Sequence, residues 1–133
     1  ELDPQGDPET EILDYVQRKL DMARDLPRES RLFAGEILQG APHMGPHLES
    51  DLKPLFDEKC AVISGWIDQG KIAALDPQHL IFSIWATTQH YADFEAQVSV
   101  LLEKEAANRQ RASNHLRSLF SALLRPHTPP QSS

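Results

Sequence analysis

The stretch Asp76–Glu95, DPQHLIFSIWATTQHYADFE, constrains this chain more than any other. Asp76 can cap a helix, and Pro77 suits its first position, where a missing N–H costs nothing. No Gly or Pro follows to interrupt the run. At about 100° per residue, Leu80, Ile84 and Tyr91 share one side, Ile81, Trp85 and Ala92 the next, and Phe82 lies beyond them. The apolar arc spans about 200°, twice the stripe of an ordinary surface helix. His79, Ser83, Ala86, His90 and Asp93 fill the remainder. One layer of neighbours cannot cover such a helix. It calls for its own domain on one side and a second subunit on another.

The 133 residues suffice for one domain whose core needs neither disulfide nor metal. No apolar run reaches the roughly 18 residues of a membrane span, and no leader-like segment is evident. The single cysteine, Cys60, excludes an internal disulfide and suits a reducing cytoplasm. A net charge of −7 argues against this chain gripping nucleic acid, which requires clustered Lys and Arg.

The remaining pattern is all-α, with about five helices and no period-2 segment. Residues 1–7 read as a linker or arm without structure of its own. The effector-and-dimer domain is expected over 8–125, with a disordered tail over 126–133. A helix opens at Asp7 or Pro8, buries Ile12, Val16, Leu20 and Ala23 with help from Leu13 and Tyr15, and ends at Leu26-Pro27. A second runs from about Pro27 to Gln39, stopped by Gly40. GAPHMGPH is a loop with room for one short turn. Leu48–Gln69 is helical, with Pro54 as the misfit; either the regular start lies near Asp51, or the helix kinks. The Asp76 helix is expected to reach Val98, and a last one to span Glu103–Leu124 with Ala112, Leu116, Leu119, Phe120 and Leu123 as its stripe.

Motifs for chemistry are weak. His43 and His47 have metal spacing, but Gly45 and Pro46 intervene and no third ligand is near, so no metal is expected. His90 and Asp93 could form a dyad, yet no nucleophile motif accompanies them, and a structural or ligand-orienting hydrogen bond is the better reading. Cys60 reads as an inert thiol. No cofactor motif is present, and nothing supports an enzyme. Trp85, Gln89 and His90 instead offer a ring, an amide and an imidazole within two turns, a set suited to a small polar heterocycle. Trp66, Phe33, Glu36 and Gln39 on neighbouring helices could complete the pocket. The competing reading makes both tryptophans plain core and the chain a helical interaction module without ligand.

Three runs bear on that choice: RLFAGEILQGAP (Arg31–Pro42), DLKPLFDEKCAVISGWIDQGKI (Asp51–Ile72) and DPQHLIFSIWATTQHYADF (Asp76–Phe94). Together they resemble the C-terminal domain of TetR-family transcriptional regulators, and within that family a subgroup responding to pyrimidines. The resemblance covers about Ile12–Pro126. It implies an effector-binding domain that forms a homodimer, its last two long helices building a four-helix bundle with the partner's. Phe82, Ala86, Asp93, Ala112, Leu116, Leu119, Phe120 and Leu123 are the expected contacts. It further implies uracil or thymine as effector, and release of operator DNA held through an N-terminal helix-turn-helix domain absent from these residues.

Overall fold

Helix α1 (Pro8–Asp25) starts where its cap dictates: the Asp7 carboxylate accepts from the Thr10 N–H at 3.0 Å and the Thr10 hydroxyl at 2.8 Å. In this computed structural model residues 1–102 and 107–126 are described, and five helices among them are 12 residues or longer. No strand occurs among the described residues. The expected all-α class stands.

Helix α2 (Pro27–Leu38) follows at once, with Leu26 serving as the C-cap of one helix and the N-cap of the next. It ends in a Schellman motif: Gly40, at φ 90°, donates to Ile37, and Ala41 donates to Glu36. The Gly/Pro loop contains the one-turn helix α3 (Gly45–His47), as its composition suggests. Helix α4 (Lys53–Asp68) carries Pro54 in its first turn, two residues later than the expected start. The preceding turn, Leu48–Leu52, is wound as π-helix, with Lys53 N–H donating to the Leu48 carbonyl. That wider turn accommodates Pro54, whose ring would otherwise press on the carbonyl of Ser50. Gly70, at φ 71°, closes α4 with the same Schellman pairing.

Helix α5 (Pro77–Asp93) is the element marked out by its apolar arc, and Asp76 caps it through the His79 N–H. It stops at Phe94 rather than Val98, and a separate helix α6 (Glu95–Leu101) begins there. No Gly or Pro explains the break. Arg31 of α2 donates to the Ala92 carbonyl at 3.0 Å and to Glu95 at 2.9 Å, bridging the two helices at the break. Helix α7 (Ala107–Leu124) completes the chain; the expected start at Glu103 lies outside the described residues, as does the tail from 127 onward.

Helices α1 and α7 run antiparallel, because Glu9 meets Ser121, Gln17 meets Ser113 and Asp25 meets Arg109. The core joins Ile12, Val16 and Leu20 of α1 to Ile63 and Trp66 of α4, Leu80, Ile81 and Ile84 of α5, and Leu116, Phe120 and Leu124 of α7. Residues 1–7 do not behave as a free arm. Leu2 enters the core, and the Pro4 carbonyl accepts from the Trp66 indole at 3.3 Å. An apolar residue at position 2 and a turn closed by Gly6 N–H on the Asp3 carbonyl suffice to seat that segment.

Candidate effector site

Three helices bring their aromatic residues to one corner. Tyr15 of α1, Phe56 of α4, and Phe82 and Trp85 of α5 converge there. The Trp85 indole N–H donates to the Tyr15 hydroxyl at 2.8 Å. Phe56 lies 5.9 Å from Trp85 at 45°, and Phe82 lies 5.8 Å from it at 50°. Phe56 and Phe82 stack on each other at 5.4 Å. Trp85 is half-buried, so its ring belongs to this corner and not to the deep core. Burial raises the Tyr15 phenol above its ordinary range, while the Trp85 bond and the nearby Arg18 oppose that rise. The hydroxyl therefore stays protonated at neutral pH. Two hydrogen-bonding groups and four rings in one place can stack a planar ligand and orient it.

The sequence expectations divide here. Trp85 holds the centre. Gln89, one turn further along the same face, donates to the Ser30 carbonyl at 3.1 Å and to Asp93 at 2.9 Å, which ties α5 to α2 beside the corner. His90 projects elsewhere; it is exposed and stacks on Phe94 at 4.9 Å. Asp93 accepts from Gln89, and no hydrogen bond joins it to His90 among the described residues. Trp66 is removed from the candidates. It is 1% exposed, in the core, with its indole N–H satisfied by Pro4. Glu36 has a structural task, accepting the His43 and Met44 N–H groups to close the loop after α2. Phe33 is exposed on α2, and Gln39 is exposed at that helix's C-terminus.

Reasoning from sequence did not anticipate Tyr15 and Phe56 at this corner. Both were visible only as members of apolar stripes, and nothing in a stripe says that a phenol on α1 will meet an indole on α5. Cys60 fits its inert reading, because burial and then Asp57 and Asp76 push its thiol up. Among the described residues no group of three His, Cys, Asp or Glu side chains is arranged to hold a metal. No helix among them is long and apolar enough to cross a membrane. A separate groove of about 450 Å³ runs between α1, α5–α6 and α7, lined by Arg24, Tyr91, Glu95, Val98 and Arg109 among others.

The expected dimer contacts also divide. Phe82, Ala86 and Asp93 on α5 are exposed, as are Leu119 (44%) and Leu123 (46%) on α7, and Ala112 is half-covered. Leu116 and Phe120 are 2% and 1% exposed and belong to the chain's own core. The stripe read from α7 thus combined two faces: one set turns inward onto α1, the other outward.

The all-α fold agrees with the class that the sequence runs implied. The chain matches the family described as YcdC-like protein, C-terminal region, over residues 1–128, and it belongs to that TetR-type family of C-terminal domains. It is similar to the HTH-type transcriptional regulator RutR of Escherichia coli (strain K12), being 54% identical over 116 residues, 84% of this chain and 55% of the relative. The RutR proteins of Shigella flexneri and Escherichia coli O157:H7 match with the same identity and coverage. The chain therefore spans about half the length of the curated relatives it matches. These relatives are transcriptional regulators and not enzymes, in line with the sequence reading.

Proposed function

We propose that this chain is the effector-binding and dimerisation domain of a TetR-family transcriptional regulator, sensing a small polar heterocycle, a pyrimidine such as uracil or thymine. The observation that carries the reading is the Trp85–Tyr15 couple, an indole and a phenol joined at 2.8 Å in a half-buried aromatic corner where three helices meet. A planar heterocycle fits such surroundings: rings supply the faces, and the phenol O–H, whose oxygen already accepts from Trp85, remains as a directional donor. In the full-length regulator, ligand bound better by the DNA-free state shifts the population toward it, by no more than its differential affinity. A second copy of the chain would meet α5 and α7 through Phe82, Ala86, Leu119 and Leu123 and set the spacing of two DNA-reading helices.

A thermal-shift series with uracil, thymine, cytosine and purines tests the ligand. At ligand about 100 times its dissociation constant, stabilisation is about 2.7 kcal/mol, several degrees for a domain of this size. A shift confined to pyrimidines and abolished by Trp85→Ala is expected. No shift with any pyrimidine would return the aromatic corner to plain packing and favour a ligand-free interaction module.

A further inference from the structure

The groove of about 450 Å³ lies at the end of the bundle where α1 and α5 finish and α7 begins. Arg24, in its wall, stands roughly 13 Å further along α1 than Tyr15, and Tyr91 roughly 9 Å further along α5 than Trp85. The groove is therefore separate from the aromatic corner, and its volume falls among those of small-molecule sites. Pro27, Tyr91, Val98, Leu102 and Ala112 make it apolar, and Arg24, Arg109 and Glu95 supply its charge. The one acid is already committed, since Glu95 accepts from Arg31 at 2.9 Å. The two arginines are only partly met. Arg109 pairs through one nitrogen with Asp25, and its side chain is 59% exposed. Arg24, 12% exposed, gives one terminal nitrogen to the Arg109 carbonyl at 2.6 Å and the other to Asp21 and Ser113. Its Nε stays buried without a partner among the described residues. Asp21 and Asp25 are not in the lining, so the groove presents an excess of positive charge in a chain of net charge −7. Buried donors are seldom left unmet in native proteins, and a guanidinium out of water favours a carboxylate over a neutral acceptor.

We propose that this groove is a second small-molecule site, which takes an aromatic carboxylate. The ligand's ring packs against Pro27, Tyr91 and the aliphatic wall, and its carboxylate completes the partners of the Arg24 and Arg109 guanidinium groups. The site is independent of the pyrimidine reading of the Trp85 corner and leaves it unchanged.

Titration of the isotope-labelled chain with phenylacetate, phenylacetamide and phenethylamine, followed through backbone amide chemical shifts, tests charge and place together. Phenylacetate should bind about tenfold or more tighter than the amide, the gain of one charge-assisted contact. Its shifts should concentrate on α6 and the adjoining ends of α1, α5 and α7. Arg109→Gln should remove most of that preference. Val98→Trp, which fills the groove, should abolish binding and leave any response to uracil as in the parent chain. Circular-dichroism melting checks that the variants fold, and Ser99→Trp, at an exposed position on the same wall, replaces Val98→Trp if that one does not. Equal affinity for acid and amide, or tighter binding of the amine, overturns the carboxylate assignment. Shifts centred on the Trp85 corner, no saturable shift with phenylacetate, or binding that survives the filled groove overturns the site itself. Loss of self-association in the filled variant, read by light scattering, gives the groove to a subunit interface and overturns it as well.

Discussion

Tyr15 does two things at once: its ring packs among aromatic and cationic side chains, and its hydroxyl satisfies the half-buried Trp85 indole at 2.8 Å. Tyr15→Phe keeps the ring and leaves the indole N–H without its partner. The expected cost is about 1–2 kcal/mol, read as a lower urea midpoint at unchanged slope, together with a shifted Trp85 emission. Asp7 contributes to the acid response. Its carboxylate accepts from the Thr10 backbone and hydroxyl, which holds its pKa below the ordinary 3.8. A depressed folded pKa means that the stabilisation is complete above the unfolded value and is lost as pH falls through the folded one. Asp7→Asn, which keeps a neutral cap, should therefore flatten the part of the acid-unfolding curve below about pH 4. Parallel melts at pH 7 and pH 3 check this. Both side chains sat in view in the sequence, but only Asp7 could be assigned its partner there. A helix cap bonds three residues away, whereas Tyr15 meets a residue 70 positions along the chain.

At the scale of elements, local chemistry placed most of the starts. Asp7, Pro27, Asp76 and Pro77 begin helices, and Gly40 and Gly70 end them, because capping and left-handed conformations are properties of single residues. Ala41 is an exception, a non-glycine residue at φ 55° directly after Gly40. Ala41→Gly should be neutral or stabilising by up to about 1 kcal/mol, as relief of left-handed strain competes with added freedom in the unfolded chain. Ala41→Val should cost about 1–2 kcal/mol, since a β-branched residue fits that region worst. Denaturant titration of the two variants decides it. Two boundaries escaped such reasoning. The π turn at Leu48–Leu52 absorbs Pro54, a resolution that the proline demands but does not choose, because a kink would serve equally. The break at Phe94 is bridged by Arg31, 61 residues before the Ala92 carbonyl it bonds, a contact no local propensity encodes.

At the scale of the whole molecule, the outward faces of α5 and α7 carry the proposed self-association. Light scattering should give a species of twice the 15.0 kDa chain mass. Leu119→Glu with Leu123→Glu, on side chains 44% and 46% exposed, should yield a monomer with little loss of helicity. Leu116→Glu or Phe120→Glu should instead unfold the chain, because each places a charge in its core. A wild-type monomer at micromolar concentration would refute the dimer. The contrast among these four residues marks what each level of organisation decides. Sequence by itself determined that the chain is helical, where most helices begin, and that Asp76–Glu95 holds more apolar surface than one layer of neighbours covers. Those are matters of spacing and single-residue conformation, legible without knowing what lies opposite. Only the tertiary structure decided which apolar residues face inward, that Trp66 is core while Trp85 lies half-buried against Tyr15, and that three cations share one phenol. Each of those depends on which helices cross and at what register, and helical periodicity reports a residue's angle about its own axis but never the identity of its neighbour.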